Sequence, residues 1–208
     1  VDTRVLATEP GLNRHVWNLE YPGMQRFEGL ILWSDMKNGP KAVPGQYRLE
    51  LLVGEERREV SFEVLADPRS EATAADYAAQ FAFVSETRDL LTRTHQEITR
   101  IRALRKQLDT VKARLLDEGD SEEAPSALLA DIMAVDDSMT AVEEALYQTK
   151  NQSRQDPLNF PIRLNNKLTS LMRLVASDDQ GPTTQATEVK AMLSSAIETQ
   201  LEAMNTVW

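Results

Sequence analysis

The chain has 208 residues, 27% of them charged, no cysteine and a formal net charge of −10 at pH 7. That balance disfavours nucleic acid and anionic membrane surfaces, both of which bind positive patches. The missing thiol excludes disulfides, a cysteine nucleophile and cysteine-type zinc sites, and no run of 18 apolar residues is present to span a bilayer.

Aromatic residues make up only 6% of the chain, and Leu, Ala, Glu, Arg and Gln are plentiful. This composition points to packed helices rather than a thick β core. The opening stretch VDTRVLATEPG carries neither the n-region nor the h-region of a signal peptide. Either the protein has no signal peptide or the chain is a mature or cut fragment, and the fragment is the favoured expectation.

Residues 1 to 66 carry strand signals. HVWNLEY (15–21) sets Trp17, Leu19 and Tyr21 on one side, and FEGLILW (27–33) is a mostly apolar run. QYRLELLV (46–53) puts Tyr47, Leu49, Leu51 and Val53 on one face, and EVSFEVL (59–65) does the same with Val60, Phe62 and Val64. This period of two is what a half-buried antiparallel sheet requires. Gly54-Glu55-Glu56 reads as the hairpin turn between the last two strands, and Pro44-Gly45 as a turn before the first of them. Thr3 to Ala7 offers a fifth strand. A free-standing sandwich has about seven strands, so the β part is expected to be truncated at its start or completed by another chain or domain.

Asp67-Pro68 is the joint, because the residue before proline avoids helical angles. Ser70 or Thr73 then offers an N-cap, and Asp76 an acid in the first turn. The first helix is expected over Thr73–Asp117, with an apolar line through Tyr77, Phe81, Val84, Leu91, Ile98, Ile101, Leu108, Val111 and Leu115 at heptad-like spacing. After an acidic turn, EGDSEEAPSA (118–127), with Gly119 and Pro125 as its punctuation, a second helix is expected over Ser126–Ser153. RQDPLNFP (154–161) reads as a loop, Ile162–Ser177 as a third helix, and the stretch after Pro182, through Val189, Leu193, Ile197 and Met204, as a fourth. No such helix buries its stripe alone. The fold class is therefore α+β: a small antiparallel Ig-like β-sandwich over residues 1–68, then an antiparallel bundle of three to four helices over 69–208, one of them very long.

Four stretches resemble a known family. GLNRHVWNLEYPG (11–23), GPKAVPGQYRLELLVGEERREVSFEVLADPR (39–69), the Gln80-Phe81 pair of YAAQF, and FPIRLNNKLTSLMRLVASDDQGPTTQATEV (160–189) together resemble the C-terminal region of bacterial sortilin-type, BNR-repeat "glycosyl hydrolase" proteins. The β part also looks like the Ig-like module of flagellar hook-capping proteins, in which a Trp strand precedes a Pro-Gly-x-Tyr turn, here Trp17 and Pro44-Gly45-Gln46-Tyr47. The resemblance covers nearly the whole chain. It implies a secreted, periplasmic or cell-surface location and a large β-propeller ahead of this segment. Any glycosidase-type chemistry would then reside in that propeller, since this chain has no repeats of propeller length.

Each chemical candidate has an ordinary counterpart. His15 and His95, the only histidines, lack neighbours for a triad or a metal set and read as surface or helix-boundary residues. Asp131, Asp136, Asp137, Glu143 and Glu144 would suit a carboxylate site, yet no Glu-x-x-His pair accompanies them, and a solvated face is the expectation. Asp35, Glu50 and Glu63 are too ordinary in an acidic chain to stand for a glycosidase pair. Asn165 and Asn166, adjacent in a helix they disfavour, are expected to satisfy backbone groups where helices meet, with ligand binding as the alternative. Trp17, Trp33 and Tyr47 read as core, and otherwise as a sugar-stacking surface. Arg88, Arg93, Arg100, Arg102, Arg105 and Lys106 are expected to form interhelical ion pairs. No catalytic residue, metal or cofactor is expected. The chain reads as a non-catalytic accessory module that packs on or presents its own propeller, with a homodimer through the long helix allowed. The alternative reading is a carbohydrate-binding module.

Overall fold

The computed structural model describes residues 5–6, 9–117 and 126–206. The elements run β1 (Glu20–Pro22), β2 (Asn38–Lys41), β3 (Gly45–Val53), β4 (Glu56–Val64), α1 (Ala74–Asp117), α2 (Ser126–Leu146), α3 (Leu164–Val175) and α4 (Thr184–Asn205), with one 3₁₀ turn at Asp156–Leu158. The chain is α+β, with two small antiparallel sheets and four α-helices among the described residues.

The strands do not join into one layered unit. Where an Ig-like sandwich is expected, β1 pairs only with β2 and β3 only with β4 among the described residues, and the two ribbons meet through the side chains of Tyr21 and Tyr47 rather than through a shared ladder. The β3–β4 hairpin follows its pattern closely. It is in register from Gly45↔Val64 to Val53↔Glu56, closed by a two-residue turn in which Gly54 alone takes positive φ, at 59°, as a type II′ turn requires. The expected strand at 15–21 shrinks to its last residues, and the one at 27–33 is not a strand. Met24, Phe27 and Leu32 are buried, but against helices. An apolar run without alternation satisfies that demand as well as it would a strand's. In its place β2 forms at Asn38–Lys41. Most of the Thr3–Ala7 candidate strand, and Gly119 with Pro125 in the acidic turn, lie outside the described residues.

β1 and β2 approach so closely that only glycine fits. A Cβ on Gly39 would lie 2.2 Å from the Pro22 carbonyl oxygen, and one on Gly23 would lie 2.0 Å from that of Lys37. Gly39→Ala is expected to cost about 2 kcal/mol of stability, the scale of overpacking against unyielding backbone. A urea midpoint unchanged from the parent would refute that.

α1 holds the helices together. Thr73 and Asp76 form a capping box: the Asp76 carboxylate accepts from the Thr73 N–H at 2.8 Å, and the Thr73 hydroxyl accepts from the Asp76 N–H at 3.2 Å. From there Val84, Thr87, Leu91, Thr94, Ile98 and Ile101 continue a heptad line, all at most 1% exposed. The two threonines are tolerated inside because each hydroxyl donates to the carbonyl four residues earlier, at 2.7 and 2.9 Å. At about 1.5 Å per residue, the 44 residues of α1 reach about 66 Å. No single partner matches that length. α2 covers its later half and α3 its earlier half, both running against it, while α4 runs alongside, as the Lys190–Glu86 and Arg93–Glu198 pairs show. α3 therefore continues the return of α2 along α1. α2 itself stops at Leu146, seven residues short of the expected end at Ser153, because Tyr147 and Gln148 turn inward. α4 is capped by the Thr183 hydroxyl, which accepts from the Ala186 N–H at 3.1 Å.

Candidate functional site

Residues 23–37 form an irregular strap across the helices, and irregular backbone at a buried face needs partners for its N–H and C=O groups. Side chains of α1 and α3, with one just past α2, provide them. The Tyr147 hydroxyl donates to the Gly29 carbonyl at 3.2 Å and accepts from the Ile31 N–H at 3.3 Å. The Asn166 side-chain oxygen accepts from the Trp33 N–H at 2.8 Å. The Thr92 hydroxyl accepts from the Gln25 N–H at 3.1 Å. His95 Nδ1 donates to the Gln25 carbonyl at 2.7 Å, since that oxygen can only accept.

His95 is 1% exposed, not at a helix boundary or on the surface as its sequence position suggests. Its other nitrogen, Nε2, therefore accepts from the Asn165 amide at 3.3 Å, and the ring of Phe27 stands edge-on at 5.2 Å. Burial pushes the imidazole pKa down to about 4, and the Gln25 carbonyl opposes this only in part. The ring is neutral near pH 7, with both nitrogens engaged. Asn165 and Asn166 are both buried. Asn166 satisfies a backbone group, as expected for the pair, although the group belongs to the strap. The Asn165 side-chain oxygen is buried without a partner.

A charged cluster adjoins this seam. Glu143 is 3% exposed and accepts from Arg102 Nε at 2.7 Å and Arg105 Nη1 at 2.8 Å. Arg105 also donates to Asp136 at 2.6 Å and to the Thr140 hydroxyl at 2.9 Å. The Arg102 guanidinium lies 4.7 Å over Phe27 and 5.5 Å from the Tyr147 ring. The solvated-face expectation therefore holds for Asp131, Asp137 and Glu144, which are exposed, and fails for Glu143, which is buried. Asp136, one heptad earlier, pairs with α1 while its side chain stays partly solvated. Of the arginines, Arg93, Arg102 and Arg105 form interhelical pairs, while Arg88 pairs with Asp89 and Arg100 with Glu97 on their own helix.

The remaining candidates are dispersed. Trp17, Tyr47 and Phe62 meet at the base of the β3–β4 hairpin, with ring centroids 5.6 to 6.2 Å apart. Trp33 is half exposed and belongs to the strap. The three candidate aromatics thus do not form one platform among the described residues. Asp67 bridges strand and helix by accepting from the Arg69 N–H and side chain at 2.7 to 3.0 Å, and those bonds lower its pKa to about 2. Asp35 is held by Arg26 and Glu50 by Arg57, and His15 is exposed.

Sequence reasoning missed Tyr147, Thr92 and Gln80. The Gln80 amide donates to the Val175 carbonyl at 2.9 Å and so closes the end of α3. Thr92 lies off the heptad line of α1 and Tyr147 just past α2, so no local spacing singled them out.

The hollow under β2, lined by Met36, Pro40, Gln80, Phe81 and Val84, holds about 30 Å³, room for one water and well below the several hundred Å³ of a ligand pocket. No group of three or more His, Asp or Glu suited to a metal occurs among the described residues, and no described helix is long and apolar enough to cross a membrane. Apart from the Asn165 side-chain oxygen, hydrogen bonds engage the polar groups named at the seam, and what they do is hold a strap onto helices. Comparison with family models, with curated proteins and with solved structures finds no match for this chain.

Proposed function

We propose that the chain is a non-catalytic accessory and interaction module of a secreted, sortilin-like BNR-repeat protein, packing on or presenting that protein's β-propeller. In this reading the β ribbons are the open remnant of an Ig-like module, and the helices form an antiparallel bundle that holds them at a fixed distance. One observation carries the interaction role. β3 and β4 pair with no other strand among the described residues, and Leu49, Leu51, Val53 and Val60 are 44 to 65% exposed along one face. A lone two-stranded ribbon is marginal in water, and contiguous exposed apolar surface marks a contact site. The exposed Val111 and Leu116 near the end of α1, with Leu128 and Met133 of α2, leave room for association through the long helix as well.

The deciding test is the reading frame that encodes the chain. Propeller repeats and a signal peptide upstream are expected, and a frame without them ends the sortilin-like assignment. Binding of the purified propeller to this chain, weakened by Leu51→Asp, would establish the contact itself.

A further inference from the structure

The two edges of the β3–β4 hairpin are unequal. A two-residue turn makes Val53↔Glu56 a hydrogen-bonded pair, so alternate residues bond inward along the ribbon. The backbone groups of Gln46, Arg48, Glu50 and Leu52 therefore point away from β4. Those of Arg57, Glu59, Ser61 and Glu63 point away from β3. On its apolar face β4 carries Glu56 and Arg58, paired to each other at 3.7 Å, with side chains 79 and 81% exposed. Charges placed on the apolar face of an edge strand are a common guard against pairing. β3 has no such guard: its residues on that face are Tyr47, Leu49, Leu51 and Val53.

We propose that the β3 edge pairs antiparallel with the β3 edge of a second copy of this chain, centred on Leu49, to make a continuous four-stranded sheet. Self-complementarity selects this occupant and this register. The nine residues Gly45–Val53 are symmetric about Leu49, so this centre gives full overlap. Gln46 then faces Leu52 of the other copy and Arg48 faces Glu50, each twice, and every outward backbone group finds a partner. On the apolar face Tyr47 meets Leu51, and Leu49 meets its own counterpart. Sliding by one hydrogen-bonded step either way sets Arg48 against Arg48 or Glu50 against Glu50. Odd registers would oppose inward-bonded to outward-bonded residues and cannot form a ladder. The symmetry is a closed two-fold, so association stops at the dimer. This pairing does not depend on the propeller assignment and stands or falls separately from it.

The chain has no cysteine, so a single engineered thiol reports the geometry. Leu49 sits on the two-fold axis in a non-hydrogen-bonded pair, where the Cα atoms lie about 4.5 Å apart, within disulfide reach. Leu49→Cys is expected to cross-link to a covalent dimer under mild oxidation. Val60→Cys, equally exposed and directly across the ribbon on β4, is expected not to. By sedimentation the parent is a dimer. Arg48→Glu weakens it about tenfold or more, since two attractive cross-strand pairs become repulsive, and adding Glu50→Arg restores it. Helical circular dichroism confirms that each variant folds. A parent that stays monomeric at high concentration overturns the proposal. So does a dimer that ignores Arg48→Glu, or one in which the two cysteine variants cross-link alike, because another surface then makes the contact.

Discussion

Replacing Glu143 with alanine is expected to lower the unfolding free energy by about 3 kcal/mol, the scale seen when one partner leaves a buried ion pair. Glu143 is almost solvent-free, and its carboxylate is shared between Arg102 and Arg105. Without it, the Arg102 guanidinium remains pressed against Phe27 and Tyr147 with no anion opposite. Arg105 retains Asp136 and Thr140, which limits the loss. Both arginines are about a third exposed, with side chains at 37 and 27%, so water recovers part of their solvation and keeps the cost below that of a fully enclosed pair. Glu143→Gln is expected to lie between parent and alanine, because its oxygen still accepts but its amide faces cations. Glu144→Ala, on the exposed side of the same helix, should stay within about 0.5 kcal/mol of the parent. Urea titrations of the three variants at pH 7 check the series. A loss below about 1 kcal/mol for Glu143→Ala would mean that α1 and α2 are held by their apolar line alone.

The second large effect is an acid sensitivity localised to His95. Burial lowers its pKa from 6.5 to about 4, so the unfolded chain binds this proton first as pH falls. The stability this site contributes is intact above pH 6.5 and is lost progressively between 6.5 and 4. The total is roughly 3 kcal/mol at about 1.4 kcal/mol per pH unit. The structural reason is specific. A proton on Nε2 would confront the Asn165 amide, itself a donor, in a place closed to water. Other carboxylates with lowered pKa values, such as Asp67 at about 2 and Asp76, lose their contribution only at more acidic pH. The difference in stability between the parent and His95→Gln, followed from pH 7.5 to 4, therefore isolates the ring. It is expected to shrink steadily across that window, and a difference independent of pH would rule out the neutral buried imidazole. An NMR titration of the ring protons gives the same answer directly.

The helices were legible because their signals are local. The Thr73–Asp76 cap and the heptad line through Leu91 and Ile98 each lie within a few residues, and the start of α1 was placed within one residue. The hairpin was legible for the same reason: alternation plus a glycine turn specify β3 and β4 without reference to anything else. The Asn165-Asn166 pair announced itself by costing helix propensity, but only Asn166 accepts from a backbone group, while the Asn165 amide turns to His95.

The seam was not legible, and the reason is distance along the chain. His95 meets Gln25 across 70 residues, Tyr147 meets Ile31 across 116, and Asn166 meets Trp33 across 133. No spacing rule reaches that far. Residues 27–33 are apolar enough for either a strand or a buried strap, and the outcome turned on whether a neighbouring strand or a helical groove with waiting polar side chains was available. Glu143 looked solvated because its own helix offers no hint that two arginines lie opposite. By itself the sequence determined which segments coil and that β3 and β4 alternate, since these follow from side chains a few residues apart, whereas the end of α2 and the fate of residues 15–21 and 27–33 did not. Only the tertiary structure decided which polar groups lose water and which apolar face is left open, because desolvation belongs to pairs of surfaces and not to either one alone.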